Sequence, residues 1–196
     1  MKNKTLKNAL ILTLITLVSG LLLGMVYEIT KEPIAHTKQQ AKEEACKKVL
    51  DGAETFENVT LNKEAVKKVE KAMEGVIINE AFEGKKGSDV AGYVVSVTDK
   101  NGYGGDIQIT VGIEKDGTVS GVSILEIHET AGLGMRATEP EFYEQYAGKK
   151  TEAFTLDGSG DGKIDALSGA TITSKAVTGA VNGALSYYQN AWGGAN

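Results

Sequence analysis

Residues Ala9 to Tyr27 read ALILTLITLVSGLLLGMVY, a run of 19 without one charged side chain. At the helical rise this run spans about 28 Å, close to the roughly 30 Å hydrocarbon core of a bilayer. A chain of 196 residues built around such a run has room for one anchor and one modest domain. A secretory signal would have a shorter apolar core and then a small-x-small cleavage site. Here Met25-Val26-Tyr27-Glu28 offers no Ala-x-Ala, so the run is read as an uncleaved anchor that meets the lipid bilayer through residues 9–27. Lys2, Lys4 and Lys7 lie ahead of it with no acid among them. Because positive residues stay cytoplasmic, the N-terminus is expected in the cytoplasm and the C-terminal bulk on the extracytoplasmic face of the cytoplasmic membrane. Lys31, Lys38 and Lys42 follow the span and weaken this asymmetry.

The formal charge is -5, and without the three tail lysines the rest holds 18 basic against 26 acidic residues. A domain that acidic is a poor binder of nucleic acid or anionic lipid. The single cysteine, Cys46, excludes an internal disulfide, and no His or Cys follows it at zinc spacing. His36 and His128 are too few for a histidine-rich metal site.

The pattern predicts three stretches: residues 1–30 as tail and transmembrane helix, 31–75 as a helical stalk or cover, and 76–196 as a folded domain. Pro33 is expected to kink or restart the helix. Ile34 to Leu50 and Lys63 to Met73 are rich in good helix formers, with Asp51-Gly52 and the Glu57-to-Asn62 segment as punctuation. From Val76 the period changes. Val76-Ile78, Ala91-Val97, Ile107-Ile113 and Val119-Ile127 read as strands of an antiparallel meander. Lys86-Gly87-Ser88-Asp89 and Lys115-Asp116-Gly117 are its turn signals. Asn101-Gly102-Tyr103-Gly104-Gly105 is read as a tight turn entering a strand, because a dinucleotide loop would need a helix after it. Glu139-Pro140 opens a short helix with Phe142, Tyr143 and Tyr146. Ile172 to Ala191 is a helix whose stripe of Val177, Ala180, Val181, Ala184, Leu185 and Tyr188 faces a core. The expected class is therefore α+β: one N-terminal transmembrane helix, then an antiparallel sheet packed by helices.

Two loops carry chemistry. Asp165-Ala166-Leu167-Ser168-Gly169-Ala170-Thr171-Ile172-Thr173-Ser174 places hydroxyls and small residues at a helix start, where free N–H groups and the dipole favour an anion. Thr173 or Ser174 is the expected N-cap. His128-Glu129-Thr130-Ala131-Gly132-Leu133-Gly134 is a second Gly- and Thr-bearing loop, able to bring backbone N–H groups toward a flat ligand. Asp157 to Asp165 mimics a calcium loop, but its twelfth position is Ser168 and not the bidentate Glu required. It is read as a hairpin turn delivering Asp165.

Ser168-Gly169-Ala170-Thr171-x-Thr173-Ser174, with Asp165 three residues ahead, resembles the covalent flavin-attachment motif of the FMN-binding domain family. Glu129-Thr130-Ala131-Gly132-Leu133-Gly134 resembles that family's Glu-Thr-Pro-Gly-Leu-Gly loop, with Ala131 in place of Pro. Gly102-Tyr103-Gly104-Gly105 and Thr30-Lys31-Glu32-Pro33-Ile34 resemble further landmarks. Size and layout are similar to the RnfG family, the G component of the Rnf complex. That complex is a membrane oxidoreductase that passes electrons between ferredoxin and NAD and moves sodium ions or protons. The resemblance implies FMN joined to Thr171 by a phosphoester bond, and partners in the other Rnf components. It also implies a flavin transferase that reads Asp165-x-x-Ser-Gly-Ala-Thr, with Asp165 serving that step. Ser168, Gly169, Ala170, Thr173 and Ser174 would surround the phosphate side. Glu129, Thr130, Gly132, Leu133 and Gly134 would meet the cofactor from the facing loop. No catalytic dyad and no metal site are expected. Three alternatives stay open: the C component of a sodium-pumping NADH:quinone reductase, a stand-alone extracytoplasmic flavin reductase, and an adaptor whose motif is unused.

Overall fold

The computed structural model describes residues 2–193. Residue 1, in the expected tail, and residues 194–196, in the expected domain, lie outside the described residues. The chain forms two compact units, Met1–Ala41 and Lys42–Asn196. Helix α1 (Lys2–Val49) supplies the first unit, and its last residues belong to the second. The uncharged run lies within it, and side chains such as Leu10, Leu14, Leu17, Leu21 and Leu23 are all exposed. A helical run apolar all round and exposed along its length suits a hydrocarbon environment. Of the two outcomes expected at Pro33, a kink or a restart, the restart does not occur, since α1 runs through that residue. A proline removes one backbone donor from the ladder, and the residues after it are strong enough helix formers to carry the helix on.

The second unit is an α+β domain. Its sheet has five strands, β1 (Thr55–Val59), β2 (Val76–Lys86), β3 (Asp89–Asp99), β4 (Ile107–Glu114) and β5 (Val119–Glu126), in that spatial order and all antiparallel. The four expected strands are present, with β2 running on well past Ile78. A register shift between Ile78 and Glu80 lets the strand absorb the polar Asn79, which breaks the apolar run in sequence. β1 begins two residues ahead of the Glu57-to-Asn62 segment read as punctuation and runs into it. Its sequence TFENV is short, polar and half-exposed, so only pairing with β2 makes it a strand. Helix α2 (Lys63–Ala72) is capped by Asn62, whose Oδ1 accepts the N–H groups of Glu64 and Ala65. Ala65 and Val69 are buried in the domain core. The segment expected as a helical stalk or cover contributes β1, α2 and the end of α1.

After β5 come a 3-10 turn (Gly134–Thr138), helix α3 (Pro140–Tyr143), a second turn (Glu144–Tyr146) and helix α4 (Thr171–Ala191). All six residues of the expected α4 stripe are buried. They meet Val95, Val97, Ile109, Val111 and Ile113 from one face of the sheet. Each such side chain contributes about 1.5–3 kcal/mol when fully withdrawn from water. The other face seats Cys46, Val49 and Leu50 from the end of α1, with Val94 beside them. That approach needs glycine, because a Cβ on Gly112 would collide with the Val49 carbonyl oxygen. Ser120 Oγ donates to the same carbonyl at 2.5 Å, satisfying an acceptor at the helix end.

Candidate functional site

Three segments distant in sequence meet at the start of α4. β5 ends at Glu126, and the chain then folds so that the Leu133 and Met135 N–H groups both donate to the Thr130 carbonyl at 3.1 Å. Glu129 Oε1 accepts the N–H of Tyr103 at 2.8 Å, which ties this loop to the glycine-rich turn ahead of β4. At the base of that turn the buried Asp99 carboxylate accepts from both the backbone N–H and the Nδ2 of Asn101 at 2.8 Å. Burial raises the Asp99 pKa, and the bonds from Asn101 oppose that rise.

The third segment is the Ser168–Ser174 stretch. Gly169 has φ +77°, a conformation that side chains other than glycine's resist. Ala170 is the N-cap residue of α4 and makes no side-chain capping bond. The expected cap at Thr173 or Ser174 is therefore not formed. Both residues lie inside the helix and are buried. Ser174 Oγ instead accepts the Leu167 N–H at 2.9 Å and donates to the Ala170 carbonyl at 3.0 Å. Its hydroxyl is committed to holding the loop, so it does not face a ligand. No acidic residue occupies the first turn of α4, which leaves its dipole uncompensated by side-chain charge.

Between these segments lies a cavity of about 520 Å³, lined by Tyr103, by Glu129, Thr130, Leu133 and Gly134, and by Gly169 through Thr173. This is in the size range of small-molecule and cofactor sites. The two loops are in close contact: a Cβ on Gly134 would lie 2.6 Å from Thr173 Oγ1 and 2.8 Å from Glu129 Oε2. Among the described residues, the large apolar side chains exposed outside α1 are Tyr103, Leu133 and Ile172, and all three line this cavity.

Of the residues expected at a cofactor site, Glu129, Thr130, Leu133, Gly134, Gly169, Ala170, Thr171 and Thr173 are brought together here. Gly132, Ser168, Asp165 and Ser174 are not in the lining. Gly132 has φ +75° and serves the turn. Asp165 is exposed, its carboxylate 3.1 Å from Lys163 Nζ, while its backbone N–H donates to Gln145 Oε1 at 2.7 Å. Tyr103 and Ile172 were not assigned from sequence. Their signal is an aromatic side chain in a glycine turn and an isoleucine off the buried stripe of α4, both costly to expose without a ligand.

A domain with an uncapped helix start facing two glycine loops, carried behind an apolar spanning helix, defines a membrane-anchored ligand-holding protein. Comparison with known proteins narrows this. The FMN-binding domain model matches residues 102–186 and the RnfG N-terminal region model matches residues 1–49. The G component of the Na(+)-translocating ferredoxin:NAD(+) oxidoreductase complex of Acetobacterium woodii is 34% identical over 195 residues, covering 94% of this chain and 91% of that protein. The G component of the proton-translocating ferredoxin:NAD(+) oxidoreductase complex of Clostridium ljungdahlii is 33% identical, covering 93% and 91%. Among solved structures, NqrC of Shewanella oneidensis superimposes with a TM-score of 0.51 at 26% identity over 59% of each chain. The chain belongs to the RnfG family, the G components of ion-translocating ferredoxin:NAD(+) oxidoreductase complexes, as its motifs led us to expect.

Proposed function

We propose that this protein is the membrane-anchored flavoprotein of an Rnf-type complex, carrying FMN in the α4 cavity through a phosphoester bond to Thr171. One observation carries the reading. Among the described residues, the large apolar side chains that this domain leaves exposed all surround one cavity, and that cavity ends on an uncapped helix start bearing an exposed Thr171. FMN matches both halves, with a flat apolar ring system and an anionic phosphate.

The residues divide the work accordingly. The N–H groups of the first turn of α4, at Thr171, Ile172 and Thr173, suit the phosphate. Thr130 and Thr173 offer hydroxyls to the polar chain. Leu133, Ile172 and Tyr103 cover ring surface and keep water from it. When bound, FMN supplies the redox chemistry, and the protein supplies orientation and electrostatics. A threonine hydroxyl is a weak nucleophile without an activating base. The carboxylate in the lining, Glu129, is engaged by the Tyr103 N–H. A flavin transferase therefore completes the ester. The exposure of Asp165 at the edge of the motif supports its service in that step and not as a contact to the attached cofactor.

Residues 9–27 hold the protein in the lipid bilayer, and Lys2, Lys4 and Lys7 favour a cytoplasmic N-terminus. The domain then lies on the extracytoplasmic face of the cytoplasmic membrane. Electrons are exchanged with neighbouring components of the complex, with no soluble substrate turned over by this chain alone. The likeness to NqrC supports the domain architecture, and the identity to G components over nearly the whole chain favours the Rnf assignment over the quinone-reductase one.

Intact mass after co-expression with a flavin transferase tests the reading. The wild type is expected to gain one FMN less one water, and Thr171→Ala to gain nothing, while Thr173→Ala still gains it. An unmodified wild type would overturn the assignment. A fluorescent reporter that matures only in the cytoplasm, fused after Asn196, is expected to stay dark.

A further inference from the structure

The side chains lining the cavity include one charge, Glu129, and no lysine or arginine. The carboxylate is held by one backbone hydrogen bond and seated between two glycines. Tyr103 donates its N–H to Oε1 at 2.8 Å. Gly102 and Gly134 leave room for the two oxygens, since a Cβ on Gly102 would lie 3.0 Å from Oε1 and one on Gly134 2.8 Å from Oε2. A side chain held this way keeps its charge at one place.

We propose that Glu129 is an electrostatic tuning residue, whose carboxylate opposes the gain of electrons by the redox group in this cavity and so holds its potential low. The inference rests on the reading of the site as a flavin carrier. A group filling a space of about 520 Å³ lies within the roughly 10 Å over which a charge is felt at ordinary salt. Each electron taken up by that group adds a negative charge wherever no proton accompanies it, and the adjacent fixed anion makes that uncompensated charge less favourable. The effect is stronger the less water reaches the bound group, because Coulomb energy rises as the local dielectric falls. The partial positive charge at the start of α4 does not cancel it. That charge is only about half a unit and falls off within the first turn, where the phosphate is held.

The full chain in detergent, loaded by a co-expressed transferase and verified by intact mass, provides the test. Dye-calibrated reductive titration with dithionite as electron donor gives the midpoint potential. Glu129→Gln keeps an oxygen for the Tyr103 N–H and removes the charge, and its midpoint is expected to move positive. Glu129→Asp keeps the charge and loses the reach to Tyr103, and its midpoint is expected to stay close to wild type. Thr130→Glu adds a second carboxylate to the lining and is expected to move the midpoint negative, which provides a readout independent of the loop clamp. A loaded Glu129→Gln protein that titrates with the wild type overturns this inference alone. So does a Glu129→Asp protein that shifts as far as Glu129→Gln, since the clamp would then be the cause. A wild type without the FMN adduct overturns this inference together with the flavin reading beneath it.

Discussion

Ser174 reaches back seven residues to accept the Leu167 N–H on its hydroxyl oxygen at 2.9 Å, while donating to the Ala170 carbonyl at 3.0 Å. The chain of bonds continues inward. Thr178 Oγ1 donates to the Ser174 carbonyl at 2.8 Å, and the Tyr146 hydroxyl lies 2.8 Å from Thr178 Oγ1. All three side chains are buried. The loop that presents Thr171 is thus tied to the interior of α4 and, through Tyr146, to the turn after α3.

Ser174→Ala leaves the buried Leu167 N–H without its acceptor. An unsatisfied buried donor costs about 1–3 kcal/mol, so the unfolding free energy of the full chain in detergent is expected to fall by that amount. Thr171 is expected to be loaded more slowly by the transferase, read as the time course of adduct mass. A Ser174→Ala protein of unchanged stability would mean that water replaces the hydroxyl.

Gly169→Ala meets two obstacles. The residue sits at φ +77°, and the added Cβ would lie 3.2 Å from Leu133 Cδ2. The left-handed conformation alone costs an ordinary residue roughly 1–2 kcal/mol. The single variant is expected to lose stability and adduct yield. Leu133→Ala in the same chain relieves the contact but not the backbone conformation, so the double variant is expected to recover only part of the loss.

Gly112→Val acts on the opposite face of the sheet. Its Cβ would collide with the Val49 carbonyl oxygen, and overpacking of this kind costs typically about 1–3 kcal/mol. The end of α1 should lift from the sheet and its last turn loosen, so that trypsin cleaves faster after Lys47 and Lys48, whose side chains are already exposed. The adduct at Thr171 is expected to form as before, because the cavity lies at the start of α4. Equal cleavage rates in variant and wild type would show that the seat tolerates the larger side chain.

Cys46 supplies a pH dependence. Burial pushes its thiol up to about 11, with the Glu80 and Glu43 carboxylates adding to the rise. A raised folded-state pKa means that stability is complete below the unfolded thiol value of 9.0 and is lost as pH climbs through the folded value. Iodoacetamide is expected to leave Cys46 unmodified in the folded chain at pH 8 and to modify it after denaturation. The stability difference between wild type and Cys46→Ala is expected to narrow between pH 9 and pH 11. A difference that stays constant over that range would show that the thiol does not ionise with unfolding.

The amino-acid sequence by itself determined the spanning helix, the α+β class, the hairpin turns at Gly87 and Gly117, the apolar stripe of α4 and the two loops that meet at Thr171. Each is a local property: a run without charge, a change of period, or a glycine where the chain must turn. Ser174 was also within reach of such reasoning. It lies three residues before Val177 and four before Thr178, on the stripe that faces inward. Tertiary structure alone decided the rest. TFENV becomes β1 only by pairing with β2, and β2 passes Asn79 only because a register shift absorbs it. Tyr103 and Ile172 become cavity residues only when the turn before β4 and the start of α4 come together around Glu129. Gly112 acquires its purpose only from the Val49 carbonyl that approaches it. Periodicity describes which face of an element is apolar, whereas pairing and close approach depend on which distant element arrives at that face.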